Sequence, residues 1–346
     1  MREATKGSVA PRLLVFHPAL VFGGTERFLT LVLPRWKRRY HIYLITTEVF
    51  KPLVPAGVEL HLIKREDLFR RFRPLPLYFR LLRRLKPARI LVFVIAHQAA
   101  VFCLAAYLAG LSRSTIIRYD GFIPEDLRKG LLFRLLLWAN RWARAVIVPS
   151  RALGRFVVRE LGVPPTRLKV IPNPVNCAAF PPRQGEGSYA LWVGRIVPEK
   201  NISLLLEAAG LFPSVKLKVL GEGPLLESYR AQAPKNVEFL GFRRDVRPYL
   251  REARFLVHTC RAEGFGYSLL EALAAGLPVL SQDCPCGPDE ILDGGRYGLL
   301  FKEDPEELAF LMKELWTSPR LRAFFEHRAR QRARQYDLSL YPEELP

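Results

Sequence analysis

Short apolar runs recur along the chain, each followed by a glycine-bearing turn and then by a stretch whose apolar positions are spaced as on one face of a helix. Residues 12–17 read as a first buried strand, Gly23-Gly24-Thr25-Glu26 as the turn after it, and the following amphipathic helix ends near Trp36. Residues 41–46 and 58–63 read as further strands. The stretch 90–111 is about long enough to span a bilayer, with His97 and Gln98 as its only clearly polar members. That pair sits where a strand-to-helix loop belongs, so a buried strand at 90–96 and an alanine-rich helix at 99–109, closed by Gly110, is the better reading. Residues 115–121 and 144–149, with a helix after Ser150, continue the series.

The alternation repeats in the second half. Strands at 189–193, 215–220, 237–240 and 253–258 interleave with helices at 202–209, 225–231, 246–251 and 268–275, and two more helices follow Pro305. Such alternation predicts α/β architecture with a parallel, doubly wound sheet in each half. Ile171-Pro172-Asn173-Pro174-Val175-Asn176 marks the exit from the first half. The Pro/Gly-rich polar segment 181–188 reads as a linker, so the boundary belongs near 175 to 187.

At 346 residues and 49% hydrophobic content, the chain can bury two ordinary cores. Residues 1–10 are polar and the apolar run after them is only strand-length, so no secretory leader is expected. Five irregularly spaced cysteines predict free thiols in a reducing compartment, and Cys284-Pro285-Cys286 is too close-set for an ordinary zinc site. Charge changes the picture more. Residues 1–180 hold 31 Lys and Arg against 10 Asp and Glu, so they carry all of the net +20. A one-sided basic half calls for an anionic partner: a phosphorylated substrate, an acidic membrane surface or nucleic acid. An arginine-rich, solvated surface is the plainer alternative. The segment 67–86 mixes arginines with Phe69, Phe72, Leu77 and Tyr78, a composition that suits anionic lipid head groups and suits helix–sheet packing nearly as well.

The chemistry concentrates in the second half. Residues 261–272 set Glu263 and Glu271 around Gly264-Phe265-Gly266, between a strand and a helix. Glycines there let a ligand approach the backbone. The free N–H groups and the helix dipole favour phosphate or hydroxyl oxygens. Glu263 is expected in the loop and Glu271 about two turns into the helix, both able to accept hydrogen bonds from ligand hydroxyls; an ordinary capped helix with a solvent-facing Glu271 would read the same from that pair alone. Gly194-Arg195 and Lys200-Asn201 follow the strand at 189–193, and two cations five apart can clamp a diphosphate. Gly221-Glu222-Gly223-Pro224 reads as a tight turn.

Glu-x7-Glu in this setting, Gly-Arg-x4-Lys, and the Gly287-Pro288-Asp289-Glu290-Ile291 segment together resemble the donor site of family-4 retaining glycosyltransferases. The resemblance covers nearly the whole chain and implies the GT-B fold: two doubly wound Rossmann-like domains with an interdomain cleft. It implies an acceptor-side domain at 1–178, a nucleotide-sugar domain at 179–328 and a segment 329–346 returning towards the first domain. By the same resemblance, Arg195 and Lys200 neutralise the departing diphosphate without metal or other cofactor. Glu263 and Glu290 serve the donor sugar and Glu271 the ribose, with Gly264, Phe265 and Gly266 supplying N–H groups. Gly23 and Gly24 fall at the family's cleft-side Gly-Gly-x-Glu. Asp120 stands where many relatives carry a His, which leaves His97 as a second candidate in the first domain. The implied activity is transfer of a sugar from a nucleotide diphosphate sugar to a hydroxyl acceptor with the anomeric configuration kept; the free thiols and the basic first half add the expectation of a lipid-linked or cell-surface glycan as acceptor and of a cytoplasmic protein peripheral on the inner face of the membrane. A polyanion- or nucleic-acid-binding protein using the basic half, and a transferase with a soluble acceptor, are the alternatives.

Overall fold

The computed structural model describes residues 10–18, 23–48, 51–64, 72–94, 98–181, 183, 185–285 and 287–346. Their contacts divide them into two compact units.

The first unit is a seven-stranded, wholly parallel sheet. It is built from β1 (Arg12–Phe16), β2 (His41–Thr46), β3 (Glu59–Leu62), β4 (Arg89–Phe93), β5 (Thr115–Arg118), β6 (Ala145–Val148) and β7 (Leu168–Val170), in the order β3-β2-β1-β4-β5-β6-β7. Helices α1 (Gly24–Trp36), α2 (Leu75–Leu85), α3 (Gln98–Leu108), α4 (Gly130–Trp142) and α5 (Arg151–Leu161) make the crossovers. Central strands of a parallel sheet are covered on both faces, which is why β1, β4 and β6 are continuous apolar runs, with Leu13–Phe16 and Val146–Val148 fully buried. β3 is the edge strand and none of its residues is buried. Among the described residues no helix is long and apolar enough to cross a membrane. The stretch 90–111 is instead β4 and α3, with 95–97 outside the described residues.

The second unit has six parallel strands: β8 (Tyr189–Val193), β9 (Leu217–Leu220), β10 (Val237–Gly241), β11 (Ala253–His258), β12 (Val279–Gln282) and β13 (Leu299–Phe301), in the order β10-β9-β8-β11-β12-β13. Its helices are α6 (Ile202–Leu211), α7 (Leu226–Gln232), α8 (Arg247–Glu252), α9 (Tyr267–Ala274), α10 (Pro288–Leu292), α11 (Pro305–Thr317) and α12 (Pro319–Arg334). Two apolar layers flank this sheet, one under α9 and α12 around Leu191, Leu256 and Leu273, the other under α6 and α11 around Trp192, Val219 and Phe255.

The contact division falls at 171/172, where 178/179 was expected. Val175 is buried in the second core, and its N–H donates to the Tyr336 carbonyl at 2.8 Å, which ties this segment to the second unit early. Residues expected to return from 329 stay with the second unit through Tyr341, because Ala329 and Ala333 of α12 are buried in that core. Only Pro342–Pro346 group with the first unit. There the Trp36 indole N–H donates to the Pro342 carbonyl at 3.3 Å, and Glu344 pairs with Arg39 at 3.0 Å. The segment 181–188 is not a free linker among its described residues: Arg183 pairs with Glu326 and Glu186 with Arg322, each at 2.8 Å.

Candidate functional site

In the second sheet the strand order reverses between β8 and β11, and in open α/β sheets ligands bind outside the carboxyl ends of the strands at such a point. The loops leaving these two strands, 194–201 and 259–266, are locked together. The Arg261 N–H donates to the Glu199 carbonyl at 2.9 Å, and the Thr259 hydroxyl donates to the Lys200 carbonyl at 2.9 Å while accepting from the Trp192 indole N–H at 3.1 Å. Glu303, just after β13, gathers three segments on one carboxylate: it accepts from Arg261 Nε at 2.7 Å, Asn201 Nδ2 at 3.1 Å and Gln282 Nε2 at 3.4 Å. A third loop braces the first. The Ile196 N–H donates to the Glu222 carbonyl at 2.8 Å, and a Cβ at Gly221 or Gly223 would lie 1.8 Å from the Gly194 oxygen or 2.1 Å from the Ile196 oxygen. The tight turn read at 221–224 is therefore also a close backbone approach that shapes the Arg195 loop.

Inside this frame lies a buried ionic cluster. Lys200 Nζ donates to Glu263 Oε2, and His258 Nε2 lies 3.3 Å from the same oxygen, with His258 Nδ1 3.1 Å from the Ser281 hydroxyl. The Lys200 and Glu263 side chains are only 16% and 19% exposed. Burial alone would raise the Glu263 pKa, but the Lys200 ammonium and the His258 ring hold it far below the ordinary carboxylate range. Burial opposes the Lys200 charge, yet Glu263 outweighs it and raises the ammonium pKa. His258 is driven the other way: burial lowers its pKa, so the neutral ring donates from Nε2 to the carboxylate. Arg195, on the same loop as Lys200, is half exposed and 3.6 Å from Glu199.

His258, Cys260 and Glu263 are also the one trio of metal-ligating side chains found among the described residues, their ligand atoms within 4.8 Å of one another. Their present chemistry is poorly suited to an ion. The Cys260 thiol donates to the Ala262 carbonyl at 2.7 Å and is pushed by burial up to about 11, while Lys200 already neutralises Glu263. A metal would have to deprotonate the one and displace the other.

Gly266 is the N-cap of α9, and its φ of 105° places it in the left-handed region. Glu271 is the fifth residue of that helix and is 8% exposed. It therefore stands about one turn into the helix, where two were expected, and it is buried rather than solvent-facing. Phe265 is 4% exposed in the core, and a Cβ at Gly287 would meet the Phe265 carbonyl oxygen at 2.2 Å, so the loops 264–266 and 287–288 pack backbone to backbone. Glu290 lies in the first turn of α10, its carbonyl accepting from Arg332 Nη2 at 2.6 Å.

The first unit carries its own polar set at the carboxyl ends of β1 and β5. His17 is fully buried, 3.4 Å from the buried Glu26 and 5.0 Å from the Phe93 ring, and burial lowers its pKa to about 3 despite the neighbouring carboxylate. Arg118, also fully buried, lies 3.9 Å from the Phe28 ring centre and pairs with Asp120 at 2.8 Å. Gly23 and Gly24 open α1. A Cβ at Gly23 would make only an ordinary contact, 3.4 Å from Glu26 Oε2, so the fold itself does not demand glycine there. His97 lies outside the described residues.

Two family descriptions match the chain in tandem: "Glycosyltransferase Family 4" over residues 22–179 and "Glycosyl transferases group 1" over residues 187–318. The chain is a family-4 glycosyltransferase. Its relatives include the N-acetylgalactosamine-N,N'-diacetylbacillosaminyl-diphospho-undecaprenol 4-alpha-N-acetylgalactosaminyltransferase of Campylobacter jejuni, 24% identical over 94% of this chain and 96% of that protein. Another is the Escherichia coli UDP-Gal:alpha-D-GlcNAc-diphosphoundecaprenol alpha-1,3-galactosyltransferase, 29% identical over 51% of this chain and 53% of that one. The structure of Anabaena HepE in complex with UDP-glucose superposes with a TM-score of 0.82 at 20% identity, over 95% of this chain and 96% of that one. Sucrose-phosphate synthase from Thermosynechococcus elongatus gives 0.77 at 17%, over 95% and 96%. These likenesses establish the GT-B fold, with two parallel-sheet Rossmann-like domains.

Within this glycosyltransferase, the structure brings Arg195, Lys200, Glu263, Gly264, Phe265 and Gly266 to one switch point, with Glu271 on the helix that the loop opens. It also adds residues that sequence reasoning passed over. His258 was read only as the end of a strand, though a polar residue closing an apolar strand five positions before Glu263 was the available signal. Glu303, Glu26, His17 and Arg118 were likewise given no role. Glu26 carries a visible cue as the last residue of Gly-Gly-x-Glu, and His17 and Arg118 as polar residues ending apolar strands, whereas Glu303 carries none.

Proposed function

We propose that this glycosyltransferase moves a sugar from a nucleotide diphosphate sugar to the hydroxyl of a lipid-linked glycan, keeping the anomeric configuration and using no metal. The observation that carries the reading is the Arg195 and Lys200 pair at the β8–β11 switch point, one cation exposed and the other held by Glu263. Arg195 supplies a two-pronged donor and Lys200 a point charge to the diphosphate as charge develops on the leaving group. Glu263 and Glu290 take the donor sugar hydroxyls and Glu271 the ribose, with N–H groups of Gly264, Phe265 and Gly266 completing the cradle. In the first domain Gly23 and Gly24 admit the substrates close to the backbone, and Asp120, oriented by Arg118, faces the acceptor. The acceptor hydroxyl attacks on the face from which the phosphate departs, and that phosphate takes its proton.

Support for the acceptor comes from the two relatives above, both named for diphospho-undecaprenol substrates and both for α linkages. The common UDP-sugars are α-linked, so an α product means retention. Thermal-shift titration with UDP-, GDP- and ADP-sugars identifies the donor, because a ligand bound only by the folded chain raises its stability by mass action. NMR of the transferred sugar then reads the anomer. No shift with any nucleotide sugar, or a β product from an α donor, overturns the reading.

A further inference from the structure

Helix α4 has two apolar faces where a surface helix needs one. Leu136, Ala139 and Asn140 are buried against the unit. Leu131, Leu135, Trp138 and Trp142, spaced i, i+4, i+7 and i+11, form a second stripe that is exposed or half-buried. Leu131 is 57% exposed. The end of α3 extends the stripe: the Tyr107 ring lies 4.5 Å from Trp138 and 5.4 Å from Trp142, and Leu108 beside it is 56% exposed.

Charge identifies the occupant. α2 packs on α3 and α3 on α4, and the three helices together contain no Asp or Glu. They do present Arg80, Arg83 and Arg84 from α2 and Arg134 and Arg141 from α4, all exposed. An interface between two copies of this face would set these arginines against their equivalents, and like charge disfavours it. A Trp/Tyr/Leu stripe bordered by arginines has the composition of a surface seated at the lipid–water boundary, aromatic rings at head-group level and cations on the phosphates.

We infer that the α3–α4 face, flanked by the α2 arginines, is the surface by which this glycosyltransferase docks on an anionic bilayer. The inference rests on the lipid-linked acceptor proposed above and moves the docking surface from the 67–86 segment alone to α4. Phosphatidylcholine vesicles with and without phosphatidylglycerol test it by co-sedimentation of the full chain. Wild type should bind only the anionic vesicles, Leu108→Ser with Leu131→Ser should abolish binding, and Arg134→Gln or Arg141→Gln should each weaken it about fivefold. Brominated lipid should quench tryptophan emission in wild type and much less in Trp138→Phe with Trp142→Phe.

Binding that survives the leucine pair, equal binding to neutral vesicles, or none to either would overturn the inference. So would a wild-type dimer that Leu131→Ser splits, or polyribonucleotide binding that replaces vesicle binding. The same variants should keep the wild-type nucleotide-sugar thermal shift. A wild type that docks on vesicles yet shows no such shift refutes the donor reading and leaves the surface standing.

Discussion

Replacing Glu263 by Gln probes the second domain's central feature, a carboxylate shared by Lys200 and His258. Gln keeps the shape and removes the charge, so Lys200 is left with a neutral partner in a site where it is only 16% exposed. Removing one partner of a buried pair typically costs about 3–5 kcal/mol, because the remaining charge is desolvated without compensation. Partial exposure argues for the lower end, about 3 kcal/mol. At about 2–4 °C per kcal/mol for a domain of this size, Tm should fall by roughly 6–12 °C. Differential scanning calorimetry reads it directly. Lys200→Met combined with Glu263→Gln removes the stranded charge and should restore part of the loss, which a double-mutant cycle quantifies.

The sign of the pH dependence follows from the same pair. The Glu263 pKa is depressed in the folded state, so its contribution is complete above the unfolded value of about 4.3 and is lost as pH falls through the folded value. The gap between wild type and Glu263→Gln should therefore stay flat from neutral pH down to about 5 and close only in stronger acid. A variant within about 1 kcal/mol of wild type at pH 7, or a gap that already closes near pH 6, would refute the buried-pair argument.

The remaining expectations are separate. Arg195→Ala should leave Tm nearly unchanged, since the side chain is half exposed, while slowing transfer about 100- to 1000-fold; wild-type turnover would remove Arg195 from the site. Gly221→Ala drives a Cβ towards the Gly194 carbonyl and should cost about 1–3 kcal/mol together with donor affinity, so unaltered calorimetry and titration would count against the close approach. Transfer should persist after dialysis against a chelator, and activity lost there and restored by magnesium contradicts the metal-free proposal. His17, neutral in the fold down to about 3, leaves the unfolded chain to bind the extra proton below about pH 6.5, so stability should fall by about 1.4 kcal/mol per pH unit on acidification. His17→Gln should flatten that slope in urea titrations, and an unchanged slope would mean that the ring is charged or accessible.

How far the fold was legible follows from burial. Parallel strands covered on both faces, such as 13–16 and 255–257, stand out as apolar runs, whereas β12 has four residues directly behind Gly276-Leu277-Pro278 and β7 only three. α4 escaped for the opposite reason. Residues 130–142 are apolar on two faces, so no single helical stripe emerges, and the second face has meaning only as a surface feature. The loops of the candidate site were legible one by one, because glycines and cations follow the strand ends at 194–201 and 261–266. The bond between Lys200 and Glu263 was not, since 63 residues separate the partners and only the adjacency of β8 and β11 brings them together. Sequence reasoning gave them separate ligands, while the fold makes them partners first.

That partnership bears on mechanism. Buried ion pairs are seldom retained for stability, since well-packed apolar residues of similar volume are often as good or better. Both domains nevertheless keep charged or titratable side chains at the carboxyl ends of strands at or next to their switch points: His17 with Glu26 at β1, Arg118 with Asp120 at β5, one strand beyond the β1–β4 reversal, and His258 with Glu263 and Lys200 at β11 and β8. The surrounding core is apolar and could hold none of these charges alone. On the proposed function, the Lys200 ammonium is already desolvated and oriented before a diphosphate arrives, so little reorganisation would remain when the leaving group gains charge. In that proposal Glu263 is the counter-ion that holds Lys200 in place between turnovers. On this argument Glu263→Gln should impair folding through the stranded lysine and transfer through the misplaced one. The double variant that removes the lysine charge should repair only the folding.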